Sequence, residues 1–398
     1  VRRTVVFDWE VSSYTGWGVY GLNLALNWAA DPQVLPVCAY EARPKALDLD
    51  PLSWLALQLF LGDSRNLAVN LAAHAGKAAA NGGPVLLGLD SAFIPIPPHG
   101  VQLTGKPTVG VVFAESAALT PDEVVRAKAY DLVIAGSSWN EALLRAHGVE
   151  RVETILQGVD PTLFHPGPRR GVLGDRFVVF SGGKLERRKG QDLVVAAFRI
   201  FAQRHPDALL AAAWHSPWAE IARTLDVSGA AAPVVFRPDG RIDVPGWTAA
   251  NGIAPSQVLD LTLSPNSAMP RILREVDVAV FPNRGEGGTN LVAMEAMAAG
   301  APTILSANTG HLDLIEGENC YALTRQHPLE GREAGVGGLA GWGESEVDEI
   351  VAALEAAYTD RQEARRRGLR GAETLSRLTW AETARRLKAA ILPLAGGG

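Results

Sequence analysis

Only seven of the 37 basic residues are Lys, and two of these, Lys184 and Lys189, share the stretch GGKLERRKG behind the apolar run FVVF. Glycines such as Gly183 after a strand let a backbone come close to a ligand. Ammonium groups at the start of the following helix add charge where amide donors and the helix dipole already favour anions. A diphosphate suits that chemistry, and a solvated charged turn helped by Glu186 is the alternative. A second stretch, FPNRGEGGTNLVAMEAMAAGAPTILSA, predicts a helix from about Thr289 to Ala299. It is apolar nearly all round through Leu291, Val292, Met294, Met297 and Ala298, and it encloses Glu295. No other charged residue occurs from Gly287 through Gly310. A carboxylate buried without a partner costs several kcal/mol, so Glu295 must be met from elsewhere, by ligand hydroxyls, a buried backbone group or an Arg. Ahead of the helix, Gly287 and Gly288 permit close backbone approach, and Thr289 is the expected N-cap. The amides of the first turn are left to face an anion.

A third feature is the spacing GxGxxG of Gly16, Gly18 and Gly21 after the strand-like TVVFDW. A dinucleotide fingerprint expects its first glycine directly after the strand and an acidic residue about 20 positions further on. Glu41 meets the second condition, but the residues from Glu10 to Thr15 separate the glycines from the strand. An NAD-dependent oxidoreductase is therefore one reading of this loop.

These groups need a scaffold, and the chain supplies two series of short apolar runs alternating with helix-period segments, which predicts an α/β protein with parallel sheets. The first holds TVVFDW, VLPVCAY, PVLLGLD, PTVGVVFA, DLVIAGS and ETILQG. A Pro- and Gly-rich segment, HPGPRRGVLGD, has the composition of a linker. The second series holds FVVFSGG, the helix QDLVVAAFRIFAQRH, ALLAAAW, VAVFPN and PTILSA. Residues 226–257 have no clear assignment. A length of 398 residues suggests two domains. The net charge of −6 speaks against a nucleic-acid partner. Two distant cysteines, Cys38 and Cys320, imply no disulfide framework and no metal spacing, and point to a reducing, cytoplasmic setting. No run of about 18 apolar residues suggests a membrane span. The chain does not begin with Met, which leaves open a preceding segment, and its oligomeric state is not readable.

GGKLERRKG, EGGTNLVAMEAMAAGAPTI, VDVAVFPN and LVIAGSSWNEALLRAHGVERVETILQGVDPTLFHPG together resemble the retaining glycosyltransferases of family four. The resemblance covers roughly Thr108 to Ile315 and a closing LTWAETARRL. It implies a GT-B fold, with two Rossmann-like domains whose parallel sheets face each other across a cleft. The expected division is residues 1–167 as the acceptor-side domain and 168–375 as the nucleotide-sugar domain. Residues 376–398 would form a helix returning to the first domain. The resemblance further implies a nucleotide-diphospho-sugar donor, no metal or other cofactor, and a glycan, lipid-linked or other hydroxyl acceptor. By position Lys184 and Lys189 match the family's phosphate-binding pair. Glu295 matches the carboxylate that bonds the ribose, and Glu286 the one that contacts the donor sugar. Gly183, Gly287, Gly288, Thr289, Asn290 and Leu291 would line the donor, and Gly16 and Gly18 would approach it from the opposite loop.

Two departures stand out. Glu286 and Glu295 lie one position further apart than the family's pair, so either the loop bulges or Gly287 stands at the first position. Where many relatives carry a His beside the sugar, VGVVFAESAALTP offers Glu115, which is expected to position sugar or acceptor. His99 substitutes only if its loop folds back. Trp17 or Trp9 can offer a face to an acceptor sugar. These departures also admit a non-catalytic glycan- or partner-binding relative. Asp48 and Asp50 spell DxD but read as a loop before Pro51. RQEARRRGLRGAE admits peripheral contact with the inner face of an anionic membrane, against the plainer reading of a solvated helix.

Overall fold

The computed structural model describes residues 2–96, 100–333 and 337–396. The first series of apolar runs forms six strands: β1 (Arg3–Asp8), β2 (Val34–Cys38), β3 (Val85–Leu89), β4 (Thr108–Val112), β5 (Leu132–Ala135) and β6 (Val152–Thr154). They pair in the order β2-β1-β3-β4-β5-β6, every pair parallel. The second series forms β7 (Phe177–Gly182), β8 (Ala208–Ala213), β9 (Val258–Asp260), β10 (Val278–Phe281), β11 (Thr303–Ser306) and β12 (Tyr321–Leu323). Its order is β9-β8-β7-β10-β11-β12, again all parallel. Strands buried on both faces need continuous apolar sequence rather than alternation, which is why FVVF and VAVF read so clearly. The short strands β9 and β12 gave no such signal: their residues are mostly half-buried at or beside a sheet edge. This two-sheet α/β architecture is the expected fold class.

Five helices matter for the site: α1 (Gly16–Trp28), α2 (Gln191–Arg204), α3 (Leu291–Ala298), α4 (Arg361–Leu375) and α5 (Trp380–Ile391). In α2 the predicted apolar positions Val194, Ala197, Phe198 and Phe201 are all buried. The segment HPGPRRGVLGD is tied to the second sheet. Arg169 pairs with Asp277 at 2.8 Å, and Glu275 accepts the amides of Arg170 at 2.6 Å and Gly171 at 3.1 Å.

Helix α5 lies against the other half of the molecule. Trp380, Ala384, Leu387 and Ile391 enter the core built on β1 and α1, and Trp28 Nε1 donates to the Ala384 carbonyl at 3.2 Å. The chain arrives there by pairing with residue 159, the Val159 amide donating to Leu378 O at 2.9 Å and the Trp380 amide to Val159 O at 3.2 Å. Gly158 makes this possible, since a Cβ there would stand 2.2 Å from the Thr379 carbonyl carbon.

Helix α4 carries RQEARRRGLRGAE, and its charges are engaged along the surface. Arg367 pairs with Glu363 at 2.7 Å and Arg370 with Glu318 at 2.6 Å. Among the described residues no helix is long and apolar enough to cross a membrane.

Candidate functional site

In the second sheet the strand order reverses between β7 and β10, and ligands of such sheets sit outside the carboxyl ends at that reversal. Strand β7 delivers Gly182 and Gly183, the latter at φ 113°, followed by Lys184. Strand β10 delivers Asn283 to Glu286. The two charged stretches of the sequence thus meet at one crevice, and each cation is found on a carboxylate. Lys189 Nζ stands 2.5 Å from Glu286 Oε1, and Lys184 Nζ 3.0 Å from Glu186 Oε2. Arg188 lies among them, buried. It reaches Glu286 at 2.9 Å, Glu186 at 2.6 Å and, from the loop after β4 of the first sheet, Glu115 at 2.8 Å. It also donates to the Gly285 carbonyl at 3.0 Å. Asn283 donates to Glu286 as well.

Burial works against the charge on Arg188, but the carboxylates of Glu115, Glu186 and Glu286 outweigh it and hold the guanidinium above its usual basicity. Glu286 shows the mirror image. Burial raises its carboxyl, yet Arg188 and Lys189 prevail and hold it down at about 2. Burial lowers Lys189, partly offset by Glu286, and raises Glu115.

Sequence reasoning missed Arg188. Its signal was two arginines between the lysines, and which one turns inward is set by the 3-10 turn Arg187–Lys189. It also missed Arg284. Arg284 is fully buried, bidentate to Asp192 of α2 at 2.8 and 2.7 Å, with Glu344 at 2.6 Å. It fixes the loop ahead of Glu286 to the helix behind Lys189.

Glu295 is buried in α3, as its sequence surroundings require. Burial pushes its carboxyl up to about 8. Its partner is neither an Arg nor the backbone: Asn266 Nδ2 donates to Oε1 at 2.5 Å. The helix start differs from expectation. Thr289 does not cap it; the cap residue is Asn290, at φ 61° and without a side-chain cap bond, and Thr289 Oγ1 donates instead to Met294 Sδ at 2.9 Å. Asn290 is held from behind by His311, whose Nε2 stands 3.1 Å from Asn290 Nδ2 and whose Nδ1 stands 3.0 Å from Ser306 Oγ. Burial lowers this imidazole to about 4, so it is neutral at pH 7. His311 was not read from the sequence, where a lone His carries no pattern.

The glycines before α3 approach the first sheet. A Cβ on Gly287 would lie 2.4 Å from the Phe113 carbonyl, and one on Gly288 2.7 Å from the Phe113 ring. Ser137 Oγ donates to Gly287 O at 2.7 Å, and half-buried Leu291 packs against the aromatic core of the first half. In the opposite loop Gly18 is needed by its own turn, because a Cβ would meet Ser12 at 2.4 Å, and Gly21 packs on Trp9. Gly16 has nothing within 4 Å of its Cβ position. Glu41 pairs with Arg65 at 3.1 Å at the surface. Trp9 is buried at 2% exposure and offers no face, whereas Trp17 is half-buried against Phe113, with ring centroids 5.0 Å apart. Asp50 caps the helix at Pro51–Ala56, as a loop before Pro51 should. His99 lies outside the described residues, and among the described residues no cluster of His, Cys, Asp or Glu could hold a metal.

A model of family 4 glycosyltransferases in conflict systems matches residues 128–387, more than half of the chain. The chain belongs to that family. This family 4 glycosyltransferase is 28% identical over 242 residues to a D-inositol 3-phosphate glycosyltransferase of Nocardia farcinica, a match covering 59% of this chain and 46% of the relative. It is 29% identical over 198 residues to a GDP-mannose-dependent alpha-(1-6)-phosphatidylinositol monomannoside mannosyltransferase of Mycolicibacterium smegmatis, over 44% and 45% of the two chains. It thus spans about half the length of the curated relatives it matches. Its fold is that of sucrose-phosphate synthase from Thermosynechococcus elongatus, with TM-score 0.67 and 18% identity over 100% of both chains. It is likewise that of Anabaena HepE in complex with UDP and glucose, with TM-score 0.64 and 13% identity over 98% and 99%.

Proposed function

We propose that the chain is a retaining hexosyltransferase that moves a sugar from a nucleotide-diphospho-sugar to a hydroxyl acceptor, a glycan or lipid-linked molecule, without a metal ion. The observation that carries the reading is the convergence of Lys184, Arg188, Lys189 and Glu286 at the strand-order reversal, with Glu295 further along α3. Three cations in a buried crevice neutralise the departing diphosphate where a metal would otherwise be needed. Lys189 and Lys184 exchange a carboxylate for a phosphate oxygen, and Glu286, released from Lys189, turns to hydroxyls of the donor sugar. Glu295 takes the ribose, and Gly16 marks the open point of the facing loop.

Retention of configuration follows if the acceptor attacks the face the diphosphate leaves. The leaving phosphate then accepts the acceptor's proton and the sugar passes through an oxocarbenium-like state. Positioning and charge stabilisation carry such a reaction, and no protein nucleophile is required. The dinucleotide reading loses its ground, because the chain belongs to family 4 and Gly18, the glycine that would approach the pyrophosphate, is needed by its own turn against Ser12.

The test is nucleotide release from a panel of sugar nucleotides. Lys184→Ala and Lys189→Ala are each expected to lower turnover about 100-fold or more, as removal of a preorganised charge-stabilising donor does. Wild-type turnover in both variants would refute the assignment, and nucleotide binding without release from any donor would mark a non-catalytic relative.

A further inference from the structure

Asn266 opens the 3-10 turn Asn266–Ala268, in the segment between β9 and β10. Its side chain and its backbone point to different halves of the molecule. Nδ2 donates to Glu295 Oε1 at 2.5 Å, while its backbone amide donates to the carbonyl of Ser13, in the loop before α1, at 2.7 Å. The neighbouring Ser267 hydroxyl bonds the Asp48 carboxylate, and the Asp48 amide donates to Ser13 Oγ at 3.0 Å. Residues 266–267 are thereby fastened across the cleft to the loop that leads into Gly16 and α1. Among the described residues Asn266 is the one hydrogen-bond partner of the Glu295 carboxylate. Among the described residues no Arg, Lys or His pairs with that carboxylate, and burial and the Asn266 bond are what govern its ionisation.

We propose that Asn266 is a positioning residue for nucleoside recognition, orienting Glu295 by holding Oε1 so that Oε2 is presented to the ribose diol, and registering that carboxylate against the opposite loop. The proposal rests on the reading of Glu295 as the ribose anchor. An amide is suited to the task, because it donates to the carboxylate without adding a further charge to the crevice. A carboxylate released from Asn266 can rotate, and a rotated carboxylate does not distinguish a diol from its absence. The bond from Asn266 also favours the ionised form of Glu295, so its removal raises that group further.

The experiment measures by calorimetry the affinities of UDP and GDP and of their 2′,3′-dideoxy counterparts from pH 6 to 9. The ratio of the two affinities cancels the titration of the phosphates. The wild type is expected to prefer the ribose form of at least one base about tenfold, the worth of one hydrogen bond to a charged group. In Asn266→Ala and in the near-isosteric Asn266→Leu, which keeps the shape but neither donates nor ionises, that ratio falls toward one. The pH at which it is half developed also moves upward. A merely structural role lowers thermal stability and leaves ratio and midpoint where they were; that result in Asn266→Leu overturns the proposal alone. If the wild type shows no ribose preference, or if Glu295→Ala retains it, the ribose-anchor reading falls and the proposal with it.

Discussion

Taking one partner out of a buried ion set leaves the others' charges uncompensated, and Arg188 has three carboxylate partners at 2.6 to 2.9 Å. Arg188→Met is therefore expected to destabilise the fold by about 3–5 kcal/mol at pH 7, read from urea midpoints. Arg188→Lys keeps the charge but not the planar fork and recovers part of the loss. The sign with pH follows from Glu286, which Arg188 and Lys189 hold at about 2, below its ordinary 4.5. A depressed carboxyl contributes stability above the unfolded value and loses it as pH falls toward the folded one. The gap between wild type and Arg188→Met should thus be widest near neutrality and narrow between pH 4.5 and 2. An unchanged gap across that window would assign the loss to packing instead.

At the scale of elements, α3 and the loop before it work as one unit. The left-handed Asn290, the His311 behind it and the glycines against Phe113 set where the first-turn amides point. Gly310 is the tightest joint, since a Cβ there would lie 1.7 Å from Gly288 O. Gly310→Ala must displace the Glu286–Asn290 loop, and a shift of about 1 Å at reacting groups costs about 100-fold in rate. Gly16→Ala is the contrasting case. With nothing within 4 Å of the new methyl, at the first position of α1, its melting temperature should hold or rise, as alanine is the better helix former. Its affinity for the sugar nucleotide should fall if the donor passes close to that backbone. Steady-state kinetics and thermal melts on the two variants separate these outcomes, and a fully active Gly310→Ala would show that the loop does not position the donor.

At the scale of the whole molecule, the two six-stranded sheets are held in register by contacts from both ends of the chain. Helix α5 closes the core of the first half, and the Glu115–Arg188 pair, Ser137 to Gly287 and Asn266 to Ser13 span the cleft. Leu387 of α5 is fully buried in that core. Leu387→Ala should cost about 2–5 kcal/mol by denaturant unfolding, and the transition should lose sharpness if the first half then unfolds apart from the second. A change below about 0.5 kcal/mol would mean that α5 is not needed to complete that core.

What the sequence by itself determined follows from patterns that are local. Continuous apolar runs made ten of the twelve strands of the two six-stranded sheets legible, because a strand buried on both faces cannot hide polar residues. Lys184 and Lys189 stood out because two of only seven lysines share one loop, and Glu295 because it is the one charge in an apolar helix; Glu286 was added only by the family resemblance. Tertiary structure decided the rest. It chose Arg188 over Arg187 as the buried centre, met Glu295 with an amide 29 positions upstream, recruited His311 and Arg284, and replaced the Thr289 cap with a left-handed Asn290. Each of these depends on which groups from distant segments arrive at the same buried point. The desolvation cost that makes such partners obligatory is fixed by the residue, but their identity is fixed only when the two sheets close on each other.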